Sequence, residues 1–265
     1  MRRFRTARRE GDEVILLVRA DRVAGLDVPV EPWFRVVPVA GDVSSFGLRR
    51  EIPLLAAREW VVLLEEHSLV TPASIDAARE LIRERTDIDL VVFLARNLTV
   101  TTPWGWATFL YTFARVWAPI AGPPPYVPVT AAIVRRGALG TERLREGAWE
   151  FEVVPRLLAE GRFAYSNDVY IDHVKAVGAV SGLVLIFHNA RACAHLWRGL
   201  GRSPRQLWSV SWATLTEDVG PLLAGREADL PRGTRVRLRA VRLAHLLGIA
   251  VGLLLGGGRS AHKLD

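Results

Sequence analysis

Short apolar runs alternate with segments of helical periodicity over the first hundred residues, and this alternation limits the possible folds more than any other feature. Runs at 13–19, 34–39, 61–64 and 89–94 have strand length and β-branched content, while 48–58 and 73–85 repeat their apolar residues at helical spacing. Thr71 before Pro72 is a helix start, an N-cap hydroxyl followed by a residue with no N–H to satisfy. Strands and helices at this pitch predict an α/β fold, a mostly parallel sheet with helices on both faces. With 265 residues, 50% apolar, the chain is long enough to bury one substantial core.

Beyond residue 100 the texture changes. Trp104, Trp106, Phe109, Tyr111, Phe113 and Trp117 crowd into fourteen positions, before the break at Gly122-Pro-Pro-Pro-Tyr126. A helix is expected at 142–160, closed by Gly161, then short β pieces at 162–165 and 169–173. Helices follow at 181–200, 204–215 and 235–255, with a polar loop at 222–231. Two units are expected: a domain over 1–215 and a C-terminal helical extension over 216–265.

The formal charge of +7 is carried by arginine, Lys175 and Lys263 being the only lysines among 35 basic residues. Arg2, Arg3, Arg5, Arg8 and Arg9 lack interleaved aromatics and any nucleic-acid motif, so they read as a solvated helix face and no nucleic-acid partner is expected. A single cysteine, Cys193, excludes an intramolecular disulfide and fits a reducing, cytoplasmic setting. No signal peptide is visible, and the apolar stretches 176–187 and 246–255 fall short of the roughly 20 residues that span a bilayer. The expectation is a cytoplasmic protein, on the inner face of a membrane if it meets one.

The chemistry concentrates in Trp60-Val-Val-Leu-Leu-Glu-Glu-His67, a buried strand that ends in two carboxylates and an imidazole before a loop at 68–72. Open α/β sheets place metal and phosphate sites at such strand ends. Trp104 and Trp106 follow a loop expected at the same sheet edge and are candidates for acceptor contact. A nucleotidyltransferase is disfavoured, because no Gly-rich phosphate loop is present.

The order of these pieces resembles the family 2 inverting glycosyltransferases of the GT-A fold, which are Rossmann-like. Glu65-Glu66-His67 stands where that family has its acidic metal motif, and 129–139 resembles the segment in which a small loop precedes a strand and a basic pair, with Ala131 where the family often carries Asn. Gly147 to Gly161 resembles the helix start that holds the catalytic base, placing that role on Glu150. Tyr165 to His173 resembles a strand ending in a family His, and Phe187-His-Asn-Ala-Arg191 a basic segment behind it.

The resemblance implies transfer of a sugar from a nucleotide-diphosphate sugar to an acceptor hydroxyl with inversion. Glu150 would be the base, and Asp21, Glu65, Glu66 and Arg191 would bind the donor. His67 and His173 would hold a divalent metal, Mn²⁺ or Mg²⁺. The family's first nucleotide-binding strand is not visible ahead of the opening helix, and Asp21 alone stands where paired acids usually bind the base. The alternative expectation is a non-catalytic module of this fold that binds a partner protein or a membrane surface; 244–256, with Gly248, Gly252 and Gly256 four apart behind four arginines, suits either packing or an anionic membrane.

Overall fold

The computed structural model describes residues 9–26, 31–41, 43–65, 67–98, 100–124, 131–174, 178–217, 220–223, 225–226, 229–258 and 260. Strands β1 (Val14–Arg19) and β2 (Phe34–Val39) form a parallel ribbon in register from Val14 opposite Phe34. Helix α1 (Ser45–Arg49) follows, its first turn capped by the Ser44 hydroxyl, which accepts from the Gly47 N–H at 3.0 Å. The helix expected over 48–58 is broken. Pro53 has no N–H for the Arg49 carbonyl and its ring crowds that oxygen, so the chain leaves the α1 axis and re-forms a single turn, Ile52–Leu55.

Next come β3 (Trp60–Leu63), β4 (Ser68–Val70), α2 (Pro72–Glu84), β5 (Leu90–Asn97), α3 (Pro103–Phe113) and β6 (Ala132–Arg135). Thr71 caps α2 as expected, accepting from the Ser74 N–H. Residues 68–70, expected in a loop, are the strand β4. The helix expected from 142 begins only at a π-helical turn, Trp149–Val153, which runs into α4 (Val154–Ala159). Gly147, at φ +79°, stops helix from passing through it. The two β pieces expected after it are one strand, β7 (Phe163–His173), interrupted by a bulge opposite Val92 to Leu94. Helices α5 (Ala179–Gly199), α6 (Pro204–Thr216) and α7 (Thr234–Leu255) follow, with a single turn, Gly220–Leu223, between the last two.

The α/β class holds, but the main sheet is not mostly parallel. Its order is β3-β6-β5-β7-β4, and only β5 and β7 run parallel; β3–β6, β5–β6 and β4–β7 are antiparallel. Alternation of strand and helix along a sequence does not specify which edge each strand joins, and here β6 inserts between β3 and β5 from far along the chain.

One consequence of this order positions the site. Strands β3 and β4 occupy opposite edges, yet only residues 64–67 join them. Five residue steps reach at most about 18 Å, less than the roughly 19 Å across five flat strands. The sheet therefore curls, and Glu65 and His67 ride on the segment that closes it.

Strand β5 is buried along Leu90 to Ala95, which explains its unbroken apolar sequence. Leu238 and Val241 of α7 belong to the same core as β5, so this helix packs with the sheet. It also packs on α3 and α6 and crosses α5 closely. A methyl group added at Gly252 would lie 2.5 Å from the Arg191 carbonyl oxygen, and one at Gly248 would meet the Phe187 carbonyl. Both obstacles are backbone and cannot swing aside. Gly252→Ala, which raises the stability of an isolated helix by about 1 kcal/mol, should therefore lower that of this protein by about 1–3 kcal/mol. Urea unfolding checks this, and a stabilised variant would show the helices to be further apart.

Candidate functional site

Arg49, the last residue of α1, joins two carboxylates that are far apart in sequence. Its Nη1 donates to Glu150 Oε1 at 2.5 Å and its Nη2 to Glu65 Oε1 at 2.6 Å. The other Glu65 oxygen lies 3.1 Å from His67 Nε2. His67 is held beside His173 by the antiparallel pairing of β4 with β7: Ser68 stands opposite His173, and the Val174 N–H donates to the His67 carbonyl at 3.1 Å. The two imidazoles meet edge to face, centroids 4.9 Å apart, and Phe109 and Phe113 of α3 pack on the His173 ring.

Glu150 sits in the π-helical turn. Pro155 cannot donate to the carbonyl four residues back, which leaves room for the wider turn, and single π turns of this kind recur at functional sites. The Glu150 side chain is 4% exposed. Its Oε2 has no hydrogen-bond partner among the described residues. Burial pushes its carboxyl above the usual range; Arg49 pulls it back, and Glu65 adds a smaller upward push. Burial opposes the charge on Arg49, but Glu150 and Glu65 outweigh this and hold the guanidinium more firmly protonated.

These groups face a cavity of about 1190 Å³ whose walls are largely apolar. Cys193, also on the wall, is pushed up to about 12 by burial and then by Glu150, so it stays a thiol at neutral pH. His245, on the same wall, lies between the Tyr111 hydroxyl, 2.5 Å from Nδ1, and Ser211 Oγ, 3.3 Å from Nε2. Beside it Arg242 donates to the Glu217 carbonyl oxygen at 2.7 Å, and Arg115 pairs with the Glu217 carboxylate.

Burial lowers the His245 pKa from 6.5 to about 4. The unfolded chain then takes up a proton at this residue near pH 6.5, and the folded protein only near pH 4. The stability it contributes is complete above pH 6.5 and is lost as pH falls to about 4, roughly 3 kcal/mol over that window. Glu150 acts in the opposite sense, since a raised carboxyl pKa favours the folded state at low pH. The comparison with His245→Gln isolates the histidine: urea unfolding of this variant should fall off less steeply between pH 6.5 and 4, and an identical slope would contradict a buried neutral ring.

The sequence-predicted residues divide. Glu65, His67, His173 and Glu150 line one cavity. Asp21 lies elsewhere, in the turn Ala20–Gly25, its carboxylate gripped by the neighbouring Arg19 and thereby held below its ordinary pKa. Arg191 donates from Nε to the Gly256 carbonyl at 2.8 Å, closing the end of α7. Trp104 lies under the Arg237 guanidinium, and Trp106 packs on Phe109 and Trp117; neither lines the cavity. Glu66, the remaining donor candidate, lies outside the described residues.

The residue that sequence reasoning missed is Arg49. No local pattern distinguishes it in so arginine-rich a chain, and its role depends on the sheet closure that brings residues 65 and 150 to it. The expected metal meets a donor set already engaged. Both Glu65 oxygens are committed, to Arg49 and His67, and among the described residues no three His, Cys, Asp or Glu side chains converge as a ligand set. Arg49 supplies the positive charge between the two carboxylates. Comparison of the chain with protein-family models, with curated proteins and with solved structures gives no match.

Proposed function

We propose that the cavity is a glycosyl-transfer site in which Glu150 takes the proton from an acceptor hydroxyl. The observation that carries this reading is the asymmetry of the Glu150 carboxylate: Oε1 is fixed by Arg49, while Oε2 is buried without a partner among the described residues and the group lines the cavity. A carboxylate held in one orientation, with its pKa raised by burial, is suited to general-base work near neutral pH.

In this reading the acceptor oxygen, as it loses its proton to Oε2, attacks the anomeric carbon of a nucleotide-diphosphate sugar from the face opposite the leaving diphosphate, and the configuration inverts. Glu65 and His67 stand on the donor side, as the resemblance to GT-A enzymes assigns them. Arg49, bound to both Glu65 and Glu150, is the cation assigned to the developing charge, and no step passes through a metal. The apolar walls favour an acceptor with a hydrocarbon portion and keep water from competing for the sugar.

The test is release of nucleoside diphosphate from a panel of nucleotide-diphosphate sugars, with Mn²⁺ and with a chelator. Turnover that persists in the chelator supports the Arg49 reading, and a strict Mn²⁺ requirement would return the site to metal-assisted chemistry. A second reading, a non-catalytic module, is favoured by the ion pairs that already satisfy Arg49 and Glu65. It predicts no turnover and no thermal shift with any nucleotide.

A further inference from the structure

Carboxylates are absent from two long stretches of this chain. Although it holds 28 Asp and Glu, none falls between Asp172 and Glu217 or between Asp229 and Asp265. Those stretches contain α5, α6 and α7, so three packed helices carry arginine without any acidic residue. The same helices leave large apolar side chains uncovered. On α7, Val236, Leu243, Leu247 and Leu254 recur at spacings of seven, four and seven, which is one face of a helix, and they are 49–81% exposed.

Arg239 and Arg235, toward the N-terminal end of α7, are exposed along one flank of this stripe. On α6, Trp208 and Trp212 are half exposed and stacked on each other, with ring centroids 6.4 Å apart. The opposite face of α7 is committed to α5 through Gly248 and Gly252. Helix α7 is long and apolar enough to cross a bilayer by length and composition, beyond what the sequence reading allowed, yet 39% of its most apolar window is buried against the protein.

We infer that the outer face of this helical layer docks on an anionic lipid bilayer, lying in the interface rather than crossing it. The leucine stripe enters the boundary between headgroups and acyl chains, the tryptophans sit at headgroup depth, and Arg235 and Arg239 meet lipid phosphates. A second copy of the chain is the poorer occupant, because a surface with arginines and no carboxylates repels itself. Duplex nucleic acid would satisfy the arginines but leave the leucines in water. The inference is independent of the transfer reaction.

Co-sedimentation of the full chain with vesicles at physiological salt tests it. Vesicles of phosphatidylcholine containing phosphatidylglycerol should bind the protein, and pure phosphatidylcholine about tenfold or more weakly. Leu243→Glu with Leu247→Glu should weaken binding at least about tenfold, while Leu54→Glu, an equally exposed apolar site away from these helices, should leave it unchanged. If the double variant fails to fold, quenching of wild-type tryptophan fluorescence by brominated lipid provides the second measurement. Absence of binding to anionic vesicles, equal loss in Leu54→Glu, resistance to alkaline extraction as for a spanning helix, or duplex DNA binding that vesicles do not displace would each overturn it.

Discussion

Glu150→Gln is expected to lower turnover of a sugar nucleotide and acceptor by about 10²–10⁴-fold, with donor affinity unchanged. The amide retains an oxygen that accepts from Arg49, so the hydrogen bond seen at Oε1 survives, but it has no basic site for the acceptor proton. Side-chain shape and the α1 contact are preserved, which separates loss of chemistry from loss of structure. Thermal melting should confirm a folded variant, and donor titration should give the wild-type Kd. Because burial raises the Glu150 pKa, the wild-type rate should decline as pH falls through that raised value, and a pH profile reads this limb directly. Turnover unchanged in Glu150→Gln would end the base assignment.

Arg49→Met should be the most destabilising single substitution at the site, by about 3 kcal/mol. It removes one cation from between two carboxylates and leaves Glu150 in a buried position without its counter-charge. Protonation of Glu150 limits the loss, and this has a signature: the variant should recover stability as pH is lowered, whereas a general packing defect would not. Combining Arg49→Met with Glu150→Gln removes the stranded charge and should restore part of the loss, a coupling of about 0.5–3 kcal/mol in a double-mutant cycle. Additive losses would show that the pair does not interact as the geometry implies.

Much of the fold was legible because it is local. Thr71-Pro72 starts a helix whatever surrounds it, and Leu90 to Ala95 reads as a strand buried on both faces because its apolar residues are consecutive. The errors also have local causes. Pro53 broke a helix that periodicity had joined, Gly147 delayed another, and a bulge in β7 made one strand look like two. Uninterrupted apolar runs understate the spanning length of α7, because they stop at its arginines, of which Arg239 is exposed and Arg242 is buried against Glu217.

For the site, the residue types were visible and their assembly was not. Glu65, His67, Glu150 and His173 are recognisable as chemistry at element ends, because charged groups closing buried segments must find partners or solvent. Arg49, the group that connects two of them, carries no mark in the sequence. Strand order made the difference: β3 and β4 are joined by four residues yet lie at opposite edges of the sheet, and only its curl brings the end of α1, the closing segment and the π turn to one cavity. The sequence by itself determined the elements, the ends at which chemistry could reside and the carboxylate-free helices. Register, strand order and the Arg49 contacts were decided by tertiary packing, since each depends on residues far apart in the chain, from 16 positions for Arg49 and Glu65 to 101 for Arg49 and Glu150, burying their surface together.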